Sequence, residues 1–164
     1  MGTTFCNNSF FTSLTPIFMT IAIGSDHAGF RYKQELADFL RASGYTVEDF
    51  GTHSLDSVDY PDFAAAVGRA VASGNAPFGV LVCGSGIGVS ITANKVAGVR
   101  AANCLTEEMA RLARQHNNAN MVTLGERLVT LDAAKEIINT FLETAFEGGR
   151  HEKRVEKIHT LTGC

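Results

Sequence analysis

The 164-residue sequence has no uninterrupted apolar run of 18 residues, so it offers no candidate for a helix that crosses a bilayer. It has no basic excess either. The formal net charge is -3 and the pI about 5.9, which removes the usual signature of a nucleic-acid partner. The four cysteines, Cys6, Cys83, Cys104 and Cys164, form no C-x-x-C pair and no metal-finger spacing. Thiols scattered in this way suit a reduced compartment, and a cytoplasmic protein is expected. The five histidines make no H-E-x-x-H or other compact ligand pattern, so neither a metal nor another cofactor is expected. No Gly-Lys-Ser/Thr follows a glycine loop, which excludes a mononucleotide P-loop.

Lys and Arg are missing from the first 30 residues; the first basic residue is Arg31. A secretory signal needs a basic start and a transit peptide is Arg-rich, so residues 1–18 fit neither. They read as a loosely ordered extension, or Met19 is the true start. Residues 19–164 are long enough for one good core and are expected to form a single domain.

What is present is concentrated in Val80-Leu-Val-Cys-Gly-Ser-Gly-Ile-Gly-Val89. The apolar run reads as a strand covered on both faces, and it opens directly into a thiol, a hydroxyl and three glycines. Alternate glycines let a backbone turn sharply and bring its N–H groups close to an anion. Cys83 reads in two ways, as a nucleophile or base at the mouth of that loop, or as a small core residue. The G-x-G-x-G spacing departs from the G-x-G-x-x-G dinucleotide fingerprint, and Asn103 and Cys104 stand where an acidic ribose ligand belongs.

Along the rest of the chain the apolar period alternates between strand and helix. Strands are expected at 20–25, 45–50, 79–83, 99–104 and 120–124. Between them, Tyr32, Leu36, Phe39 and Leu40 fall on one helical face stopped by Gly44, and Phe63, Val67, Ala70 and Val71 repeat the spacing behind Pro61, ending at Gly74. A helix is expected near 89–95, another behind a Thr106 cap with Glu107 and Glu108 in its first turn, and a third behind Thr130. The last has an inner stripe of Leu131, Ala134, Ile138, Phe141, Leu142 and Ala145. Five strands alternating with helices predict an α/β, Rossmann-like three-layer sandwich with a five-stranded parallel sheet. In such folds ligands sit beyond the carboxyl ends of the strands, where Asp26-His27 and the Cys83 loop are found.

The C-terminal segment carries the cationic groups. Arg150, Arg154 and Lys157 are spaced to share one face of a C-terminal helix, and Gly148-Gly149 before them predicts a bend back toward the body. Two guanidiniums a turn apart can clamp a phosphate, or they can simply be solvated.

Seven motifs then agree in order. Gly24-Ser-Asp-His-Ala-Gly29, Asp59-Tyr-Pro61, Val82-Cys-Gly-Ser-Gly-Ile-Gly88, Ala93-Asn-Lys95, Arg114-Gln-His-Asn117, Gly125-Glu-Arg127 and Gly148-Gly-Arg-His-Glu-Lys-Arg-Val155 resemble type B ribose-5-phosphate isomerase. That superfamily also contains galactose-6-phosphate isomerase subunits and allose-6-phosphate isomerases. The resemblance runs from about Met19 to Leu161.

It implies an aldose-ketose isomerase of the pentose phosphate pathway that interconverts ribose 5-phosphate and ribulose 5-phosphate through ring opening and an enediolate. Such chemistry needs a ring-opening group, a base that moves a proton between adjacent carbons, and donors for the enediolate oxygen. By the resemblance Cys83 is that base, His116 opens the ring, and Ser85 bonds near the reacting end of the sugar. The N–H groups of Gly84, Ser85, Gly86, Ile87 and Gly88 would face the developing oxyanion. Asp26 and Asn117 would hold hydroxyls, His27, Arg150 and Arg154 would face the phosphate, and Arg127 is a further ligand-binding arginine. Some members of the superfamily carry a glutamate base six positions after the cysteine, where this chain has Val89, so the proton transfer falls to Cys83. Ser85 replaces a threonine of other members and keeps the hydroxyl.

His116 and Asn117 close the helix leading into the fifth strand, at the amino edge of the sheet, whereas Cys83 lies at the carboxyl edge. A five-residue strand spans about 17 Å, more than one sugar bridges. A homodimer or dimer of dimers with sites shared between subunits is therefore expected. Two alternatives stand beside this expectation: an isomerase of a six-carbon sugar phosphate, and a non-catalytic phosphosugar-binding module. A nucleotide-binding flavodoxin-like domain lacks its phosphate fingerprint here.

Overall fold

The computed structural model describes residues 19–163; the 1–18 segment and Cys164 lie outside the described residues. Five strands, β1 (Thr20–Ser25), β2 (Thr46–Asp49), β3 (Phe78–Cys83), β4 (Ala101–Asn103) and β5 (Met121–Gly125), form one parallel sheet in the order β2-β1-β3-β5-β4. Six α-helices connect and follow them: α1 (Phe30–Ala42), α2 (Tyr60–Ala72), α3 (Ile87–Ala93), α4 (Glu107–Asn117), α5 (Leu131–Glu143) and α6 (Glu152–Thr162).

Strand alternation divides the core into two layers. Ile21, Ile23, Val80, Val82, Val122 and Leu124 point to one face, where α1, α4 and α5 bury Leu36, Leu40, Ala110, Ile138 and Phe141 against them. Ala22, Leu81 and Met121 point to the other, covered by α2 and α3 through Ala64, Val67, Val89 and Ala93. The three central strands, β1, β3 and β5, are buried from both sides, which is why they read as near-continuous apolar runs, whereas the edge strands β2 and β4 are partly exposed.

The helix after the glycine loop begins two residues before its expected start and ends at Ala93, because Gly86, at φ 76, turns the chain into helix at once. β4 is shorter than the expected 99–104. The side chain of Asn120 takes the Arg100 N–H at 2.8 Å, so the sheet ladder starts only at Ala101. On the outer side of β4 the Asn94 amide donates to the Ala101 carbonyl and accepts the Ala101 N–H, both at 2.9 Å. In α5 the buried stripe is Ala134, Ile137, Ile138, Phe141 and Leu142; Ala145 lies beyond the helix end and is exposed. Arg150 lies in a 3₁₀ turn (Gly149–His151) just before α6 and not within that helix. Both glycines before it have positive φ, as the expected bend requires.

One ion pair anchors the segment after β2. Lys33 of α1 is fully buried, and its Nζ lies 2.7 Å from both Asp49 carboxylate oxygens and 2.7 Å from the Thr52 carbonyl. Removing one member of such a pair leaves the other charge without compensation. Lys33→Ala is therefore expected to cost about 3 kcal/mol, read as a lower urea midpoint at unchanged slope. A loss below about 1 kcal/mol would mean that Asp49 simply turns to water.

Candidate active site

The sheet order reverses between β1 and β3, and ligands of open α/β sheets bind in the crevice outside such a switch point. A cleft of about 400 Å³ opens there, lined by Asp26, His27, Ala28, Tyr60, Cys83, Gly84, Ser85, Gly88, Arg127 and Leu128. A larger cleft of about 560 Å³ lies elsewhere, beside β4 and α6, and contains Asn117. The smaller one holds the reactive groups, so it is the better candidate for chemistry.

Cys83 ends β3 with only 5% of its surface exposed, and that surface faces the cleft. The Gly86 N–H donates to its Sγ at 3.1 Å. The loop is fixed from below: the hydroxyl of buried Thr123 donates to the Gly86 carbonyl at 3.0 Å and shares its one proton with the longer contact to Asn103 Oδ1 at 3.3 Å. A side chain at position 86 would collide with Asn103 and the Leu124 backbone, so glycine is required for space as well as for φ. From β5, the Glu126 N–H bonds the Cys83 carbonyl (2.9 Å) and the Arg127 N–H bonds the Gly84 carbonyl (3.1 Å), which lays the Arg127 guanidinium over Gly84. The other buried thiol, Cys104, is no rival: burial pushes it up to about 12 and it faces the core.

On the β1 side Asp26 is buried, and its Oδ1 accepts the N–H groups of Ala28 (3.0 Å) and Gly29 (3.1 Å). This turn presses against the end of β3. A Cβ at Gly29 would come within 2.5 Å of the Val82 carbonyl, so only glycine lets Asp26 and Cys83 face one cleft. His27 Nδ1 accepts the Val58 N–H at 3.2 Å, which in the neutral ring leaves the proton on Nε2 as a donor. Tyr60 packs its ring across Gly88, where a Cβ would lie 2.8 Å away.

Of the sequence candidates, Asp26, His27, Cys83, Gly84, Ser85, Gly88 and Arg127 are brought together. Two of the five loop N–H groups are already engaged, Gly86 on Sγ and Ile87 on Ser85 Oγ at 3.3 Å, and the Ile87 side chain is exposed. His116, Asn117, Arg150 and Arg154 are not in this cleft. His116 and Asn117 close α4 ahead of Met121, which is in register with Gly79 at the start of β3, four residues and about 13 Å from Cys83. There the His116 ring stacks on that of His151 with centroids 4.3 Å apart. Burial holds His151 below the usual imidazole range, helped by nearby His116, Arg150 and Arg154 and opposed by Glu147. Arg150 and Arg154 are exposed.

Sequence reasoning gave no role to Tyr60, Thr123 or Asn103. Tyr60 sat inside a quoted motif, but its approach to Gly88 depends on how the 50–59 segment is tied down, which spacing does not reveal. The network under the loop joins residues 20 and 37 positions apart.

A family model described as Ribose/Galactose Isomerase matches residues 21–158. Ribose-5-phosphate isomerase B of Escherichia coli K12 is 47% identical over 141 residues, covering 86% of this chain and 95% of the relative. D-erythrulose-4-phosphate isomerase of Pectobacterium atrosepticum is 42% identical, covering 85% and 93%. Among solved structures, ribose-5-phosphate isomerase B of Clostridium thermocellum superposes with a TM-score of 0.87 at 54% identity, covering 88% and 98%. The Mycoplasma genitalium isomerase with bound ribulose-5-phosphate superposes with a TM-score of 0.85 at 41% identity, covering 88% and 97%. With a matching fold and a cleft at its switch point, the chain belongs to the ribose/galactose isomerase family of sugar-phosphate isomerases.

Proposed function

We propose that this enzyme interconverts ribose 5-phosphate and ribulose 5-phosphate, with Cys83 as the base that carries a proton between C1 and C2. The observation that supports it most is the Cys83 thiol itself, at the mouth of a glycine loop and in one cleft with Asp26, His27 and Arg127. Val89 supports the assignment by exclusion. It has no proton to exchange and is fully buried on the core side of α3.

The reaction proceeds in two stages. His116 assists ring opening by moving the proton between the ring oxygen and the anomeric hydroxyl. The Cys83 thiolate then takes the proton from C2 of the open aldose, the enediolate forms with its oxygen near Ser85 and the free N–H groups of the loop, the hydroxyl proton on O2 passes to O1, and the thiol returns the carbon-bound proton to C1. Asp26 and Asn117 hold hydroxyls; His27, Arg150 and Arg154 hold the phosphate, and Arg127 closes over the loop. Because His116, Asn117, Arg150 and Arg154 lie outside the Cys83 cleft of their own chain, the working site takes them from a second copy across a two-fold axis. A cytoplasmic location suits this reaction and the free thiols of the chain.

The printed family description spans pentose and hexose substrates, and one relative carries a four-carbon name. Turnover on ribose 5-phosphate, erythrulose 4-phosphate, allose 6-phosphate and galactose 6-phosphate decides the point. The highest kcat/KM is expected on ribose 5-phosphate, by about tenfold or more per added or missing carbon unit. A higher value on any of the others would reassign the substrate while leaving the family chemistry in place.

A further inference from the structure

At the amino edge of the sheet, away from the cleft, three ligand-type side chains converge. His116 closes α4, and Glu147 lies in the segment that follows α5. The Glu147 N–H bonds the Gln115 carbonyl at 3.1 Å, which fixes that segment to the end of α4. Gly148 and Gly149 then turn the chain with positive φ, and His151 comes back to lie flat on His116, the rings 5° from parallel. Glu147 Oε2 stands 3.8 Å from Nε2 of both histidines. One donor atom from each of the three residues lies within 4.8 Å of the others, and among the described residues this is the one such group.

We propose that His116, Glu147 and His151 form a binding site for one divalent transition-metal ion of the zinc class, with solvent completing its coordination. Two imidazoles and a carboxylate suit Zn²⁺, Co²⁺, Ni²⁺ or Cu²⁺ and not Ca²⁺ or Mg²⁺. Ligand bonds of about 2.0–2.2 Å place tetrahedral donors roughly 3.4 Å apart, so the two 3.8 Å separations to Glu147 need only a small closure and the histidine pair, within 4.8 Å, a larger one. Parallel rings aim their lone pairs side by side, so one ring must tilt. His116 is the one with room, being half-buried where His151 is enclosed. The Arg150 Nε, 3.4 Å from His151 Nε2, must swing out, and its side chain is exposed. These movements, with Arg150 and Arg154 close by, make this a reversible site and not a structural one. The ion occupies the imidazole of His116, the group proposed to open the ring, so occupancy inhibits turnover; that consequence, unlike the binding, rests on the role given to His116.

The test is titration of the full chain with Co²⁺, whose visible bands intensify in a nitrogen-containing site of low coordination number. Saturation at one ion per chain is expected. Glu147→Gln and His151→Asn should each weaken it by at least the ~10-fold that loss of an outer-shell partner costs, while His53→Asn, on an exposed loop, should leave it unchanged. Unaltered circular dichroism in the variants separates ligand loss from unfolding. Absence of saturable bands in the parent chain, or an affinity equal to the parent's in both variants, overturns the site. Zn²⁺ should inhibit isomerisation over the same concentration range, with a chelator restoring it. If the ion binds through these residues and turnover does not fall, the site stands and the role of His116 falls.

Discussion

Cys83→Ala is expected to lower kcat by at least ~10³-fold while sugar-phosphate affinity stays within a few-fold of the parent. A positioned proton-transfer group contributes ~10²–10⁴ to rate, and among the described residues Cys83 is the one thiol that lines the cleft. The Asp26 carboxylate is committed through Oδ1 to its own turn, and Val89 is buried in the core. In the proposed site the phosphate and hydroxyl contacts come from other residues, so ground-state binding is expected to survive. Two measurements check it: calorimetric affinity, and exchange of the transferred proton with deuterated water followed by NMR. Turnover within tenfold of the parent would remove Cys83 from the mechanism.

The second large effect is recovery of activity from two dead proteins. Cys83→Ala and His116→Ala homodimers should each be almost inactive. Mixed at equal amounts and allowed to exchange subunits, they form mixed dimers for about half of the total. Each has one site with both groups intact, so about a quarter of the parent activity returns. The opposite edges of the sheet occupied by these residues motivate the experiment. Were no activity to appear although mass spectrometry shows mixed dimers, each site would have to be built within one chain.

Fold class was legible because the three central strands are covered on both faces and stand out as apolar runs between amphipathic helices; the edge strands β2 and β4 showed mainly through their place between helices. Strand order was not, since nothing local in β2 or β4 says which edge it takes. Half of the candidate site was equally open to reading. Asp26, His27, Cys83 and Ser85 follow directly from strand ends, and the open-sheet rule puts those ends together. The hydrogen bond from Val58 to His27 was hidden because it depends on the path of a loop, itself held by a buried lysine. The His116, Glu147 and His151 group was hidden for a related reason: its members are 31 and 4 positions apart, and two glycines with positive φ bring them together.

The amide of Asn94 has a consequence for the behaviour of the protein in a crowded solution. A parallel sheet ends at each side in a row of unpaired backbone groups, a template on which a foreign strand can add. β4 is three residues long, and at its first residue, Ala101, the outward-facing N–H and carbonyl are both occupied by one side chain. Asn94 thus imitates a sixth strand one residue long. It shortens, by the first residue of the strand, the edge on which a foreign strand could add.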